Sequence, residues 1–120
     1  MIKEGQSKKA KYWGKFTVEK VINLKEPVKC HSNVRGPATF NPALVKIKWE
    51  TAPRKSQYEF WLPYWIAFGD KKERYGQYSP MMDEEILLEL LSGGIQQDFF
   101  SREFLIRLST IIMNQLKNKN

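Results

Sequence analysis

The chemistry open to this chain is limited by the side chains it carries. Its one thiol, Cys30, and its one imidazole, His31, are neighbours in sequence. A zinc site takes three or four protein ligands, more than this pair supplies. A Cys–His nucleophile pair is normally assembled by the fold, and adjacent side chains in extended chain point to opposite sides. Four carboxylates, Asp83, Glu84, Glu85 and Glu89, cluster further along, with Glu85 and Glu89 one helical turn apart. Paired carboxylates can hold a divalent cation or move protons. Here no second acidic cluster, histidine or phosphate loop accompanies them, and they read as the solvated first turns of a helix, where negative charge suits the dipole. Gly36-Pro37 and Gly93-Gly94 match neither phosphate-binding pattern, GxxxxGK[ST] or GxGxxG, and read as backbone punctuation. The expectation is a protein that is not an enzyme, with no cofactor and no metal.

What remains is charge and aromatic surface. The net charge is +7. Residues 1–55 hold thirteen Lys and Arg against four Asp and Glu, while residues 56–120 hold seven against nine. That asymmetry points the first half toward an anionic partner. Lys15, Lys46 and Lys48 fall on the polar sides of strand patterns, Lys11 precedes the first of them, and Lys71, Lys72 and Arg74 sit at a turn. Gathered on one side of a sheet, these cations would follow a phosphate backbone. Trp13, Trp61 and Trp65 would then stack on unpaired bases, as in single-strand-binding sheets. The competing reading makes the aromatics a core under a solvated lysine surface, because a domain of this size needs large side chains inside.

The elements that position these residues follow from periodicity. Residues 1–10 are polar and lysine-rich and read as a flexible basic arm. From Tyr12 to Leu24 the alternation is two-fold, with Phe16, Val18, Ile22 and Leu24 on one face and Lys20 interrupting it, as at a bulge or an exposed end. Pro27, Gly36, Pro37 and Pro42 make residues 25–42 read as a long irregular loop. Ala43 to Glu50 alternates again, Val45, Ile47 and Trp49 against Lys46, Lys48 and Glu50. Tyr58 to Phe68 reads as a central strand apolar on both faces, with Pro63 demanding a bulge or an edge, and Arg74 to Tyr78 as a returning strand.

Two helices follow. Ser79-Pro80 has the form of an N-cap and first helical residue, and Ile86, Leu87, Leu90 and Leu91 make a stripe. With Ile95 one turn beyond Leu91, that helix is expected to continue through Gly93-Gly94 to about residue 97. Ser101 caps the second helix, with Phe100 and Leu105 placed as a hydrophobic staple and a 3.6-residue period through Leu116.

The fold class is therefore α+β: an N-terminal antiparallel sheet or small open barrel of about four strands over residues 11–79, then a helical pair over 80–117, in one domain spanning 11–120. No secretory signal and no membrane-length apolar run is apparent. A single cysteine fits a reducing cytoplasm. The functional expectation is a small non-catalytic binding domain for nucleic acid on a basic sheet face. The alternative is a protein-interaction or homodimerisation module, using Met81, Met82, Phe99, Phe100 or the last helix.

Overall fold

The computed structural model describes residues 2–76 and 80–119. The chain divides into two compact units, Met1–Glu84 and Glu85–Asn120. The first holds an eight-stranded antiparallel sheet and the second is helical, so the class is α+β.

The sheet is built on one long strand, β4 (Gly36–Trp49). Its second half pairs with β2 (Gly14–Asn23) on one side and β5 (Tyr58–Trp61) on the other. Its first half pairs with β3 (Val28–Ser32) and β6 (Tyr64–Phe68). The short strands β1 (Ser7–Ala10), β7 (Arg74–Tyr75) and β8 (Met81–Met82) add to β2, β6 and β5 respectively.

The expected central strand, Tyr58 to Phe68, is two strands parted at Leu62-Pro63, yet both keep one register along β4, from Lys48↔Tyr58 to Ala38↔Phe68. Pro63 has no N–H to give the ladder. Its carbonyl still accepts from the Ala43 N–H at 2.9 Å, so the ribbon bends without losing its place.

Eight strands replace the four expected: β1 and β3 are added, the expected central strand divides into β5 and β6, and β8 forms after Pro80, while β4 extends back into 25–42. That segment is largely strand rather than loop. The β3–β4 hairpin turns at residues 33–35, where the Ser32 hydroxyl accepts from the Val34 and Arg35 N–H groups at 3.2 and 3.1 Å and Gly36 takes φ 80°. Pro37 stands next to that turn and Pro42 where β4 passes from its first set of partners to its second. Prolines at a hairpin end and at a bend leave the ladder between them intact. The lysine-rich start also contributes: β1 lies within it, and Gly5 N–H donates to the Val18 carbonyl at 2.7 Å.

The core lies on one face of this sheet. Phe16, Val18, Val45, Ile47, Trp49 and Trp61 are buried together, with Ile2 and Ala43. Phe16 meets Trp49 and Trp61 edge-on at 5.4 and 5.7 Å between ring centroids. Burial of each such side chain is worth about 1.5–3 kcal/mol. The register of β2 shifts between Val18 and Lys20, which accounts for the lysine in the apolar series. The shift also reverses the faces beyond it. Val21 packs against the core, whereas Ile22 and Leu24, expected on the core face, are exposed.

Met81 and Met82 pair with Trp61 and Phe60, so the chain after Pro80 is strand, and the first helix, α1 (Glu84–Gln96), begins later than the Ser79-Pro80 signal implied. The open edge of β5 offered ladder bonds that outweigh a local capping preference. Ser79 itself, with Gln77 and Tyr78 of the expected returning strand, lies outside the described residues.

In the helical unit α1 runs through Gly93 and Gly94. A Cβ on Gly94 would stand 3.1 Å from the Phe100 ring, so the close return of the chain leaves little room for a side chain there. Asp98 takes φ 59° in the connection, a conformation its short polar side chain tolerates. The second helix, α2 (Arg102–Asn118), starts at Ser101, whose hydroxyl accepts from the Phe104 N–H at 3.1 Å. Phe100 stacks on Phe104, with centroids 4.9 Å apart.

Candidate nucleic-acid interface

The alternation that sends Val45, Ile47 and Trp49 into the core sends Lys46 and Lys48 to the opposite face of the sheet. Cross-strand partners share a face, so the register extends this outer surface. Lys48 stands beside Thr17 and Tyr58, and Lys46 beside Lys20 and Phe60. One strand further out, Lys9 stands beside Lys15, and Ser7 beside Thr17. Five lysines thus occupy one face across β1, β2 and β4, bordered by two aromatic side chains on β5.

Tyr58 is the meeting point. The ammonium groups of Lys46 and Lys48 lie 5.1 and 5.7 Å from its ring centroid, within cation–π range. Ser56 clamps its backbone: the Ser56 hydroxyl donates to the Tyr58 carbonyl at 2.7 Å and accepts from the Tyr58 N–H at 3.1 Å. Tyr58 remains 41% exposed, leaving ring surface open beside the lysines. Glu50, whose N–H donates to the Lys15 carbonyl, borders the patch at one end, and Glu19 lies at the bulge. Across the four strands the patch is about 14 Å wide, three strand spacings.

The ten candidate residues fall in three places. Lys15, Lys46 and Lys48 share the outer face just described. Lys11, Trp13, Trp61 and Trp65 line a cavity of about 780 Å³ on the other side of the sheet. There Trp61 is a core residue, 6% exposed, and Trp65 is half-buried with its ring centroid 5.8 Å from that of Tyr75. Trp13 is half exposed and lies under the Arg54 guanidinium at 4.9 Å. Lys71 and Lys72 lie between β6 and β7 and Arg74 opens β7; Arg74 and Arg35 both approach the Phe68 ring, at 5.9 and 4.2 Å.

Sequence reasoning did not single out Lys20, Tyr58 and Phe60, and it placed Lys9 with the cations ahead of the first strand rather than within a strand. For Tyr58 and Phe60 a signal existed, since alternation sets them opposite Trp61 and Trp65. Lys20 joins Lys46 only because the bulge reverses its side, and Lys9 only because β1 forms at all.

Arg54 and Glu59 make the one ion pair among the described residues. The hydrogen bond to Glu59 raises the Arg54 pKa above its ordinary value, partial burial opposes this, and the charges of Glu59 and Asp83 reinforce it. No helix among the described residues is long and apolar enough to cross a membrane. Neither family models, nor curated proteins, nor solved structures provide a match to this chain.

Proposed function

We propose that this protein is a non-catalytic binding domain for single-stranded nucleic acid, acting in a reducing cytoplasm and using the outer face of its sheet. One observation carries the reading: Lys9, Lys15, Lys20, Lys46 and Lys48 share a sheet face with Tyr58 and Phe60. Lysines at this density take up phosphates and release counterions, which makes affinity fall steeply with salt. Tyr58 and Phe60 offer flat π surfaces to bases, a contact that tolerates any sequence. A single strand fits better than a duplex, because bases inside a duplex cannot reach rings standing on a sheet.

The test is fluorescence anisotropy with labelled single- and double-stranded DNA and RNA at low and moderate salt. Micromolar binding that prefers single strands and weakens steeply with salt supports the reading. Absence of binding at low salt removes it.

A second reading rests on α2, which exposes Ile106, Ile111, Ile112, Met113 and Leu116. Apolar side chains in such number on one helix suit a protein partner or a second copy of the chain. Self-association indifferent to salt, with no affinity for nucleic acid, would favour it.

A further inference from the structure

The face of the sheet opposite the lysine patch contains a second candidate site. We infer that the cavity lined by Trp13, Trp61, Trp65 and Tyr75 binds a small planar organic anion. This inference does not depend on the nucleic-acid reading, which uses the other face.

Volume comes first. The cavity, about 780 Å³, lies in the range of small-molecule sites. Its walls are aromatic. Tyr75 stands between Trp61 and Trp65, with ring centroids 6.0 and 5.8 Å away, and Phe16 meets Trp61 from the core side. Rings so arranged present faces and edges together, which suits a flat π-system better than a branched aliphatic one. Trp13, from the β1–β2 turn, lies at the same cavity and keeps half its surface open.

Charge decides the sign of the ligand. Lys8, Lys9, Lys11 and Arg54 line the cavity, and among the described residues no Asp or Glu does so. Arg54 is already held by Glu59, and Lys9, the cross-strand partner of Lys15, turns its side chain to the outer face, so the charge available to a ligand comes from Lys8 and Lys11. Lys8 is the cross-strand partner of Phe16 and therefore stands on the cavity side of β1, while the Lys11 ammonium rests 5.3 Å from the centroid of the Tyr12 ring. A carboxylate or phosphate at these lysines, with its ring among the tryptophans, satisfies both parts of the lining. Aryl carboxylates and nucleoside monophosphates share that chemistry.

The experiment is isothermal titration calorimetry of the full chain with naphthoate, its neutral amide naphthamide, and adenosine monophosphate. Saturable binding of naphthoate to one site per chain is expected, with naphthamide roughly fivefold weaker for want of the ion pair. The exposed double variant K8Q/K11Q should bring naphthoate down to the amide's affinity, and Trp13→Ala should weaken both. K46Q/K48Q, on the other face, should leave naphthoate binding unchanged even where it weakens affinity for nucleic acid. Adenosine monophosphate tighter than naphthoate identifies a nucleotide site, and weaker identifies an aryl-acid site. Equal affinity for acid and amide, no saturable binding by either anion, or a loss caused by K46Q/K48Q overturns the inference.

Discussion

Arg54 grips Glu59 with two hydrogen bonds, Nε to Oε2 at 2.9 Å and Nη2 to Oε1 at 2.5 Å, and the Glu59 side chain is wholly buried. Glu59 stands on the core face of β5, opposite Ile47. A carboxylate there is tolerable only because the guanidinium reaches it in bidentate form. Arg54→Ala strands that charge and is expected to cost about 3–5 kcal/mol in urea unfolding. Replacing both partners, Arg54→Met with Glu59→Leu, should recover most of the loss, and a double variant as unstable as the single one would refute this account. Because the folded-state pKa of Arg54 is raised, its contribution is complete below the unfolded value and is lost only as pH rises through the folded one, in strong alkali. Across neutral pH the titration of Arg54 therefore adds no slope to stability.

Trp61 and Tyr58 separate core from surface. Trp61→Ala empties a site packed against Phe16 and is expected to cost about 3–5 kcal/mol. Tyr58→Ala removes a ring that is two-fifths exposed, and should leave the melting temperature nearly unchanged. On the proposed function, Tyr58→Ala weakens single-strand binding by about 1–3 kcal/mol. Thermal melts and anisotropy on the two variants check both statements.

Lys46 and Lys48 are predicted to act through phosphates. The double variant K46Q/K48Q should weaken every sequence alike and lower the slope of log affinity against log salt by about 1–2. An unchanged slope would place the contacts elsewhere.

Gly76 is buried beside Tyr64, and its N–H donates to the Tyr64 carbonyl at 2.8 Å. A Cβ at this position overlaps the Tyr64 ring, which is itself packed against Phe40. Gly76→Ala is expected to destabilise the sheet unit by about 1–3 kcal/mol, as overpacked sites do. Guanidinium unfolding followed by tryptophan fluorescence measures it.

Ser101 closes the open end of α2 through the Phe104 N–H. Ser101→Ala should lower helix stability by about 1 kcal/mol, visible as reduced helicity by circular dichroism, while Ser101→Asp should retain it.

By itself the sequence determined whatever depends on neighbours a few residues apart. Alternation in Ala43 to Glu50 decided which side chains of that strand enter the core and which meet water, because successive side chains in a strand must take opposite faces. The 3.6-residue period and the serine at 101 likewise decided α2. Tertiary structure decided what depends on partners distant in the chain. Val28–Ser32 and Ser7–Ala10 are strands because the edges of β4 and β2 stand ready to pair with them, and prolines that look like breakers fall at a turn and at a bend. One bulge between Val18 and Lys20 moved Ile22 to the surface and set Lys20 beside Lys46, since side-chain direction reverses with a single extra residue. The gathering of five lysines around Tyr58 and Phe60 follows from register, as does the sending of Trp61 and Trp65 to the other face. Register is set by which strands pair and by how much apolar surface the pairing buries, and both are properties of the assembled sheet.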